Sequence, residues 1–457
     1  MKMKVQVIIE SDEGQKLVED VASLARGALS AETLGLSLVE AKQVLQHLQA
    51  SIVNQQVLEY LQTQRCCPHC GRPRSLKGHH AVVFRTVFGK LSLPSPRLRR
   101  CACEHTTTRS FSPLAALLPE RSAPELAYLE AKWASLMSYG LTVDLLTEVL
   151  PLDGQINTTS VRLQLQRVAE RAEAELGPEH FSYIYGCPRD WAQLPRPDPP
   201  ITVGIDGGYV RGRRGKSRSE GHFEVIAGKS MADDGSKYFA FVNRHDTKPK
   251  RRLFEVLKSQ GMQMNQQVTF LSDGGDTVRN LQLYLNPQAE HVLNWFHCTM
   301  RLTVMRQMAK GVRSKAFPNI AADARRQLDR IKWYLWHGNV FRTLQTIEYL
   351  QMDIENIEES EARSKLLKAL REFNHYIDVN KPFIPNYGDR YRNGENIATG
   401  VVESTVNQVI SKRLVKKQQM RWTERGAHLL LQVRTKTLND ELRPTFEGWY
   451  PGMKQAA

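Results

Sequence analysis

The chain reads as a multidomain α+β protein, and three observations predict it. Its 457 residues exceed what one hydrophobic core organises, so about three domains are expected. Apolar residues recur at helical spacing over long stretches but run as strands between the cysteine pairs and again after residue 200. Five of the seven cysteines, Cys66, Cys67, Cys70, Cys101 and Cys103, gather in one segment, leaving Cys187 and Cys298 apart. In a reducing compartment that clustering favours metal binding over disulfides.

Lysine and arginine outnumber aspartate and glutamate by 63 to 48, a net charge of +15 that suits a polyanionic partner such as nucleic acid. No apolar run reaches the roughly 18 residues a membrane helix needs, and MKMKVQVIIESDEGQK turns acidic where a signal peptide requires its apolar region. The expectation is a cytoplasmic protein with no membrane partner.

Residues 1–64 are expected to be mainly helical, from the apolar spacing of GQKLVEDVASLARGAL and SLVEAKQVLQHLQASIVNQQVLEYLQ, and to serve support or self-association. Residues 65–120 predict a zinc-ribbon-like β module. Alternating stretches VVFRTV and KLSL meet at Phe88-Gly89-Lys90 and are bracketed by Cys67-x2-Cys70 and Cys101-x-Cys103. Four thiolates suffice for one closed tetrahedral Zn²⁺ site. The second pair is closer than usual, which leaves Cys66, His69 or His105 as substitutes for one ligand.

Residues 121–185 predict helices, with a short helix, the turn PLDGQ and a longer helix capped by Asn157, Thr158 or Thr159 in a helix-turn-helix-like DNA-binding arrangement. Ser160, Arg162, Gln164 and Gln166 then begin the recognition helix. Pro-rich residues 186–200 read as a linker.

Past the linker, ITVGID, HFEVIAGKSMADDG and KYFAFVNRHD read as an antiparallel meander, LFEVLKSQG as a helix and QVTFLSD as a buried strand. Strand-strand-strand-helix-strand is the opening of a ribonuclease-H-like α/β fold, here with residues 201–296 as its first part. Residues 297–395 predict an all-helical insertion, 396–440 the return of the fold in a C-terminal helix, and 441–457 a tail.

Three acids carry the chemistry: Asp206 in GIDGG, Asp273 in SDGGD and Glu403 in GVVES. Two strand ends and a helix start can gather their carboxylates, and clustered carboxylates bind divalent metal; a pair of Mg²⁺ ions roughly 3.5–4 Å apart serves in-line phosphodiester displacement. Asp276 and Glu395 compete for the second and third places, Asp276 fitting a helix cap better. Gly207 and Gly208 are expected to leave room for DNA. Arg211, Arg213, Arg214 and Lys216 follow the first acid, and Arg413, Lys416 and Arg421 the third, as candidate phosphate contacts. Trp333 and Trp336, three apart on one helix, predict core packing.

The segments GIDGGYVRGR, LSDGGDTVRNLQ, HVLNWFHCTMRL, YLWHGN and GVVESTVNQVISKRLVKKQQMRWTERGAHLLLQVRT, with CPHCG, VFGK and CAC before them, resemble the acid-triad (DDE) transposases of bacterial insertion sequences. The resemblance is to their ISKra-type branch, allied to the Mutator-like elements, and extends from about residue 65 to about residue 440. It implies that Asp206, Asp273 and Glu403 hold two Mg²⁺ ions, with Mn²⁺ as a substitute, for DNA strand cleavage and 3′-OH strand transfer. It also implies a catalytic role for His297, partners in terminal-repeat and target DNA, homo-oligomerisation, and action at the bacterial nucleoid. The related group carries Cys or Asp three residues before that histidine; Asn294 departs from this. The rival expectations are a regulator that binds DNA without cutting and a nuclease that hydrolyses without strand transfer.

Overall fold

The computed structural model describes residues 1–10, 16–104, 108–152, 154–179, 189–190, 193–195, 200–213, 221–263, 265–275, 281, 289–398, 404–415 and 420–454. The chain divides into two compact units, Met1–Glu170 with Asp440–Ala457, and Arg171–Asn439. The architecture is multidomain α+β.

The first unit opens with a hairpin where helix was expected. Strands β1 (Lys2–Glu10) and β2 (Lys16–Ala25) pair antiparallel, from Lys2 opposite Ala25 to Glu10 opposite Lys16. The register shifts between Val5 and Gln6, which inserts Val21 as an extra residue in β2. That bulge breaks the period of two, so Leu17, Val21 and Leu24 fall at helical spacing although the backbone is extended. Helix α1 (Leu38–Thr63) does form, started by a reciprocal capping box between Ser37 and Glu40. Arg26 grips Glu40 with both terminal nitrogens at 2.6 and 2.9 Å, tying the hairpin's exit to the helix start.

Strands β3 (Leu76–Thr86) and β4 (Gly89–Arg99) form the expected second hairpin, and β5 (Ser110–Phe111) pairs along β4. Val82 and Leu93 from this sheet meet Val53 and Val57 of α1 and Leu114 of α2 (Pro113–Leu117) in one small core. Helices α3 (Pro124–Leu136), α4 (Tyr139–Val149) and α5 (Thr158–Leu176) follow. Asn157 caps α5 as predicted, its Oδ1 accepting from the N–H groups of Thr159 and Ser160. Of the four recognition candidates, Gln164 lies in the core, because it shares the α5 stripe with Val161, Leu165 and Val168.

The second unit is built on a five-stranded sheet of order β10-β9-β6-β7-β8. Strands β6 (Ile201–Arg211), β7 (His222–Ala232) and β8 (Gly235–Val242) form the expected meander. Helix α6 (Pro249–Ser259) leads to β9 (Val268–Ser272), which joins β6 in parallel, and β10 (Glu290–Leu293) joins β9 in parallel. The sheet's core draws on Val203, Ile205, Phe239 and Phe270, closed by Leu253 and Leu257 of α6. Continuous apolar runs such as VTFL suit strands covered on both faces.

Helices α7 (Trp295–Ala309), α8 (Ile320–Trp336), α9 (Val340–Glu355) and α10 (Glu361–Asn380), with short α11 (Tyr387–Arg392), share a separate apolar core. This is the helical stretch read from the sequence. Trp333 departs from expectation at 62% exposed, because the inward stripe of α8 runs through Leu328, Ile331 and Leu335 and residue 333 points about 200° from 331. Trp336 is partly buried, with its ring 5.2 Å from that of Trp295. A π-helix (Asn407–Val415) and helix α12 (Glu424–Leu438) complete the second unit; α12 packs on β8. Helix α13 (Leu442–Trp449) belongs to the first unit, where Phe446 meets Tyr128 of α3 edge-on at 5.6 Å.

No helix among the described residues is long and apolar enough to cross a membrane.

Candidate functional site

Two of the three predicted acids are described: Asp273 directly follows β9, but Asp206 stands in the middle of β6, which runs on to Arg211 because its pairing with β7 continues, so the expectation of two strand ends holds for Asp273 alone. In the parallel β6–β9 pair the last partners are Gly204 and Leu271, so Asp206 and Asp273 both stand two residues further along. Continuing that register would set the two at equal height just past the carboxyl end of β9, the region where α/β folds open their ligand crevices. Asp206 is half-buried and Asp273 exposed, so both carboxylates are reachable from solvent. Asp206 Oδ1 accepts from the Gly207 N–H at 2.8 Å within β6, and Asp273 Oδ1 accepts from the Gly275 N–H at 3.2 Å in the turn after β9.

The Asp273 turn is held from the helical core. Tyr376 of α10 donates its hydroxyl to the Asp273 carbonyl at 3.1 Å, and Arg301 of α7 lies 4.3 Å over the Tyr376 ring. Burial first, then the nearby Cys298 thiol and Asp273, pushes the Tyr376 phenol well above its ordinary range, so it remains a donor. Gly274 has φ +91°, and a Cβ there would meet Asn380 Oδ1 at 2.2 Å. Only glycine gives this turn its backbone and lets α10 come so close.

Glu403 lies outside the described residues, and the described helical segment beginning at Ser404 packs against β6. A Cβ on Gly208 would meet Ile410 Cδ1 at 3.1 Å and Val406 Cγ1 at 3.3 Å. At Gly207 it would meet Glu224 Oε1 at 3.2 Å. The space these glycines leave is therefore filled by the protein's own side chains, which corrects the expectation that both leave room for DNA. Asp276 also lies outside the described residues, while Glu395 is bound by Arg390 at 2.9 Å.

His297 is half-buried in the first turn of α7, just after β10. Asn294, the departing position, has a structural duty: buried, it caps α7 by accepting from the Phe296 N–H at 3.0 Å, and its own N–H donates to the Ser272 carbonyl at 2.9 Å.

The basic candidates separate. Arg211, Arg213 and Arg421 are exposed and brought together, because the Trp422 N–H donates to Arg211 O at 2.9 Å and the Arg213 N–H to Trp422 O at 2.8 Å. Arg244, unmarked in the sequence by any motif, lines a cleft of about 700 Å³ with Arg213, His222, Trp422 and Glu424; Arg211 and Arg421 are not among its lining residues. Arg211 is five residues beyond Asp206, or about 17 Å along an extended strand. Arg413 is fully buried, its guanidinium 5.3 Å over the Trp422 ring, so it presents no surface to a phosphate. The basic residues around it read as a charged track, but the apolar pattern of Val409, Ile410 and Leu414 carries Arg413 inward. Arg214, Lys216 and Lys416 lie outside the described residues.

The four predicted cysteines converge. Cys67 Sγ is 3.3 Å from Cys103 Sγ, Cys70 Sγ is 3.5 Å from Cys101 and 3.7 Å from Cys103, and all four sulfurs lie within 4.8 Å of one another. A tetrahedral zinc with bonds of about 2.3 Å has sulfur-to-sulfur edges near 3.8 Å, so the cluster fits zinc. The first knuckle is closed by Gly71, whose N–H donates to Cys67 O at 2.9 Å with φ +69°. The second is closed by Glu104, whose carboxylate accepts from the Cys101 N–H at 3.2 Å and pairs with the buried Arg74. Burial alone would raise the Cys67 thiol, but N–H groups of His69 and Cys70 and the neighbouring thiols lower it to about 6. The adjacent sulfurs raise Cys103 to about 12, the mark of thiols too close to ionise together without a cation. Cys66 and His69 are not in the cluster, and His105 lies outside the described residues, as does Cys187.

A second cluster, Glu173, Asp246 and His428, has ligand atoms within 4.8 Å of one another. Arg252 already fills it: Nε donates to Asp246 at 2.9 Å and the terminal nitrogens to Glu173 at 2.8 and 3.0 Å. The guanidinium supplies the positive charge a metal would bring, so this is a buried ion-pair network within the second unit, to which Glu173 belongs.

No protein-family model matches the chain, and neither does any curated protein sequence.

Proposed function

We propose that the chain is a transposase of the acid-triad type, which binds the ends of an insertion sequence, breaks DNA strands and joins the freed 3′-hydroxyl to target DNA. The observation that carries the reading is that Asp206 and Asp273 each stand two residues past the last partners of the parallel β6–β9 pair, with the segment after Glu403 packed on the same β6 strand at Gly208. Sheet order β8-β7-β6-β9-β10, with only β7 antiparallel to the rest, supports the ribonuclease-H-like assignment. The four-cysteine cluster beside the β3–β4 hairpin supports the zinc-ribbon reading.

In this reading Asp206, Asp273 and Glu403 hold Mg²⁺, which supplies activation of the attacking oxygen and stabilisation of the leaving oxygen. The protein's own groups do the rest. Tyr376 and Asn380 fix the turn that aims Asp273, and the Asn294 cap sets the first turn of α7 that carries His297. Arg213 and Arg244 in the cleft, with the exposed Arg211 and Arg421, offer positive charge to the DNA backbone. Four thiolates fix the first-unit module with zinc, and the net charge of +15 favours DNA association that weakens with salt.

The test is incubation of the purified full chain with end-labelled candidate terminal repeats and Mg²⁺. Strand-specific breaks followed by joined molecules are expected. Breaks without joined products would reduce the reading to a nuclease, and DNA binding without breaks to a regulator.

A further inference from the structure

The hairpin at the start of the first unit is a two-stranded sheet, and β1 has no second strand beside it among the described residues. β2 packs on α1, where Val21 and Leu24 are buried, while the outer edge of β1 stays open, and an open strand edge is a template for another strand. The side chains of β1 are unusual for such an edge: Met3 is 40% exposed, Val5 37% and Ile8 64%, with Leu17 and Val18 of β2 exposed beside them.

The order of residues in β1 says what would cover it. KMKVQVIIE carries lysines at one end and a glutamate at the other, with Gln6 at its centre. Laid antiparallel on a copy of itself so that all nine residues overlap, β1 places Lys2 opposite Glu10, Met3 opposite Ile9, Val5 opposite Val7 and Gln6 opposite Gln6. Opposite residues share a face. One face then becomes an unbroken row of Met3, Val5, Val7 and Ile9 from both copies, beside Leu24, Ala22, Glu19 and Leu17 of each β2. The opposite face ends in two Lys2–Glu10 pairs. Glu10 is free to turn toward such a partner, since its contact with Lys16 is a 3.7 Å pair with both side chains about 60% exposed.

We propose that β1 is a self-pairing edge, joining two copies of this chain through a twofold antiparallel β1–β1 contact into one four-stranded sheet. Isologous contacts of this kind need only one self-complementary patch, and pairing gives the open backbone groups of β1 hydrogen-bond partners. The inference rests on the hairpin alone and does not depend on the chemistry of the acidic site.

The full chain should show a concentration-dependent mass rising to a dimer in analytical ultracentrifugation. Lys2→Glu and Glu10→Lys each make both terminal contacts like-charged in the homodimer, and each should weaken association roughly tenfold. In a one-to-one mixture of the two variants, both terminal contacts of the heterodimer again set an acid against a base, so heterodimers should recover wild-type affinity. This recovery separates pairing from misfolding, because each variant folds by itself before mixing. A chain that stays monomeric at about 100 µM, or a dimer indifferent to both substitutions, or variants that do not recover on mixing, overturns the proposal.

Discussion

Asp206 and Asp273 each stand two residues past Gly204 and Leu271, the last partners of the parallel β6–β9 pair. In the proposed function these two carboxylates share a hard cation. Asp206→Asn and Asp273→Asn keep size and remove charge. Each should lower Mg²⁺-dependent strand breakage by more than about a hundredfold, beyond the usual cost of losing a ligand's supporting group. DNA affinity measured in Ca²⁺ should stay within about twofold of wild type, since a nearly silent change is expected where no cation contact to the backbone is lost. A variant that still nicks at full rate excludes that aspartate from the site.

Zinc should be present at one ion per chain by elemental analysis. Its removal, or Cys67→Ser, should lower the melting temperature of the first unit by on the order of 10 °C, because metal binding free energy is folding free energy in a module with so small a core. Cys66→Ser should change neither the zinc content nor the melting temperature, since Cys66 stands outside the sulfur cluster. Equal zinc loss in both variants would show that the ligand set is different.

Glu173→Gln should destabilise the second unit by about 3 kcal/mol, by leaving the buried Arg252 short of a partner. Burial favours the neutral Glu173 carboxyl, but hydrogen bonds from His428 and Arg252 and the charge of Arg252 outweigh it and hold the group down at about 2. Its ordinary value is 4.5. A depressed acid stabilises the fold above that ordinary value and ceases to do so as pH falls through the folded one. Chemical denaturation should show this contribution intact at neutral pH and fading between about 4.5 and 2, a window absent from the Gln variant.

Glu130 in α3 behaves in the opposite sense. Burial pushes it up to about 7, against the opposing pull of Arg85 and Arg167. The folded state therefore binds its proton more tightly than the unfolded one, so stability is fullest below 4.5 and declines as pH rises to 7. Glu130→Gln should stabilise the first unit at pH 8 by on the order of 3 kcal/mol and leave it unchanged near pH 4. Equal melting temperatures of the two proteins at pH 8 would remove Glu130 as the cause.

Much of the local structure was legible because short-range patterns carried it. CPHCG and CAC marked the clustered sulfurs, Asn157 its cap, and VTFLS a strand closed by an acid, whereas the strand begun by ITVGID runs on past Asp206 to Arg211. The lone hairpin was missed because a single bulged residue, Val21, turned a period of two into an apparent helical spacing. Arg413 was misplaced because charge alone suggested surface, while the π-helix turned it toward Trp422. Trp333 was misplaced because two tryptophans three apart need not share the buried stripe when Ile331 and Leu335 define it.

By itself the sequence determined which residue types stand at strand ends, caps and knuckles, since propensity, turn chemistry and thiol spacing act over a few positions. Only the tertiary structure decided that β9 lies beside β6 in a register that sets Asp206 and Asp273 each two residues past its last partners, and that Gly208 receives Ile410. Those pairings join residues 67 and 202 positions apart, as 273 less 206 and 410 less 208. Contacts at such separation follow from how whole layers bury their apolar faces, a property of the assembled sheet and helices that no local window contains.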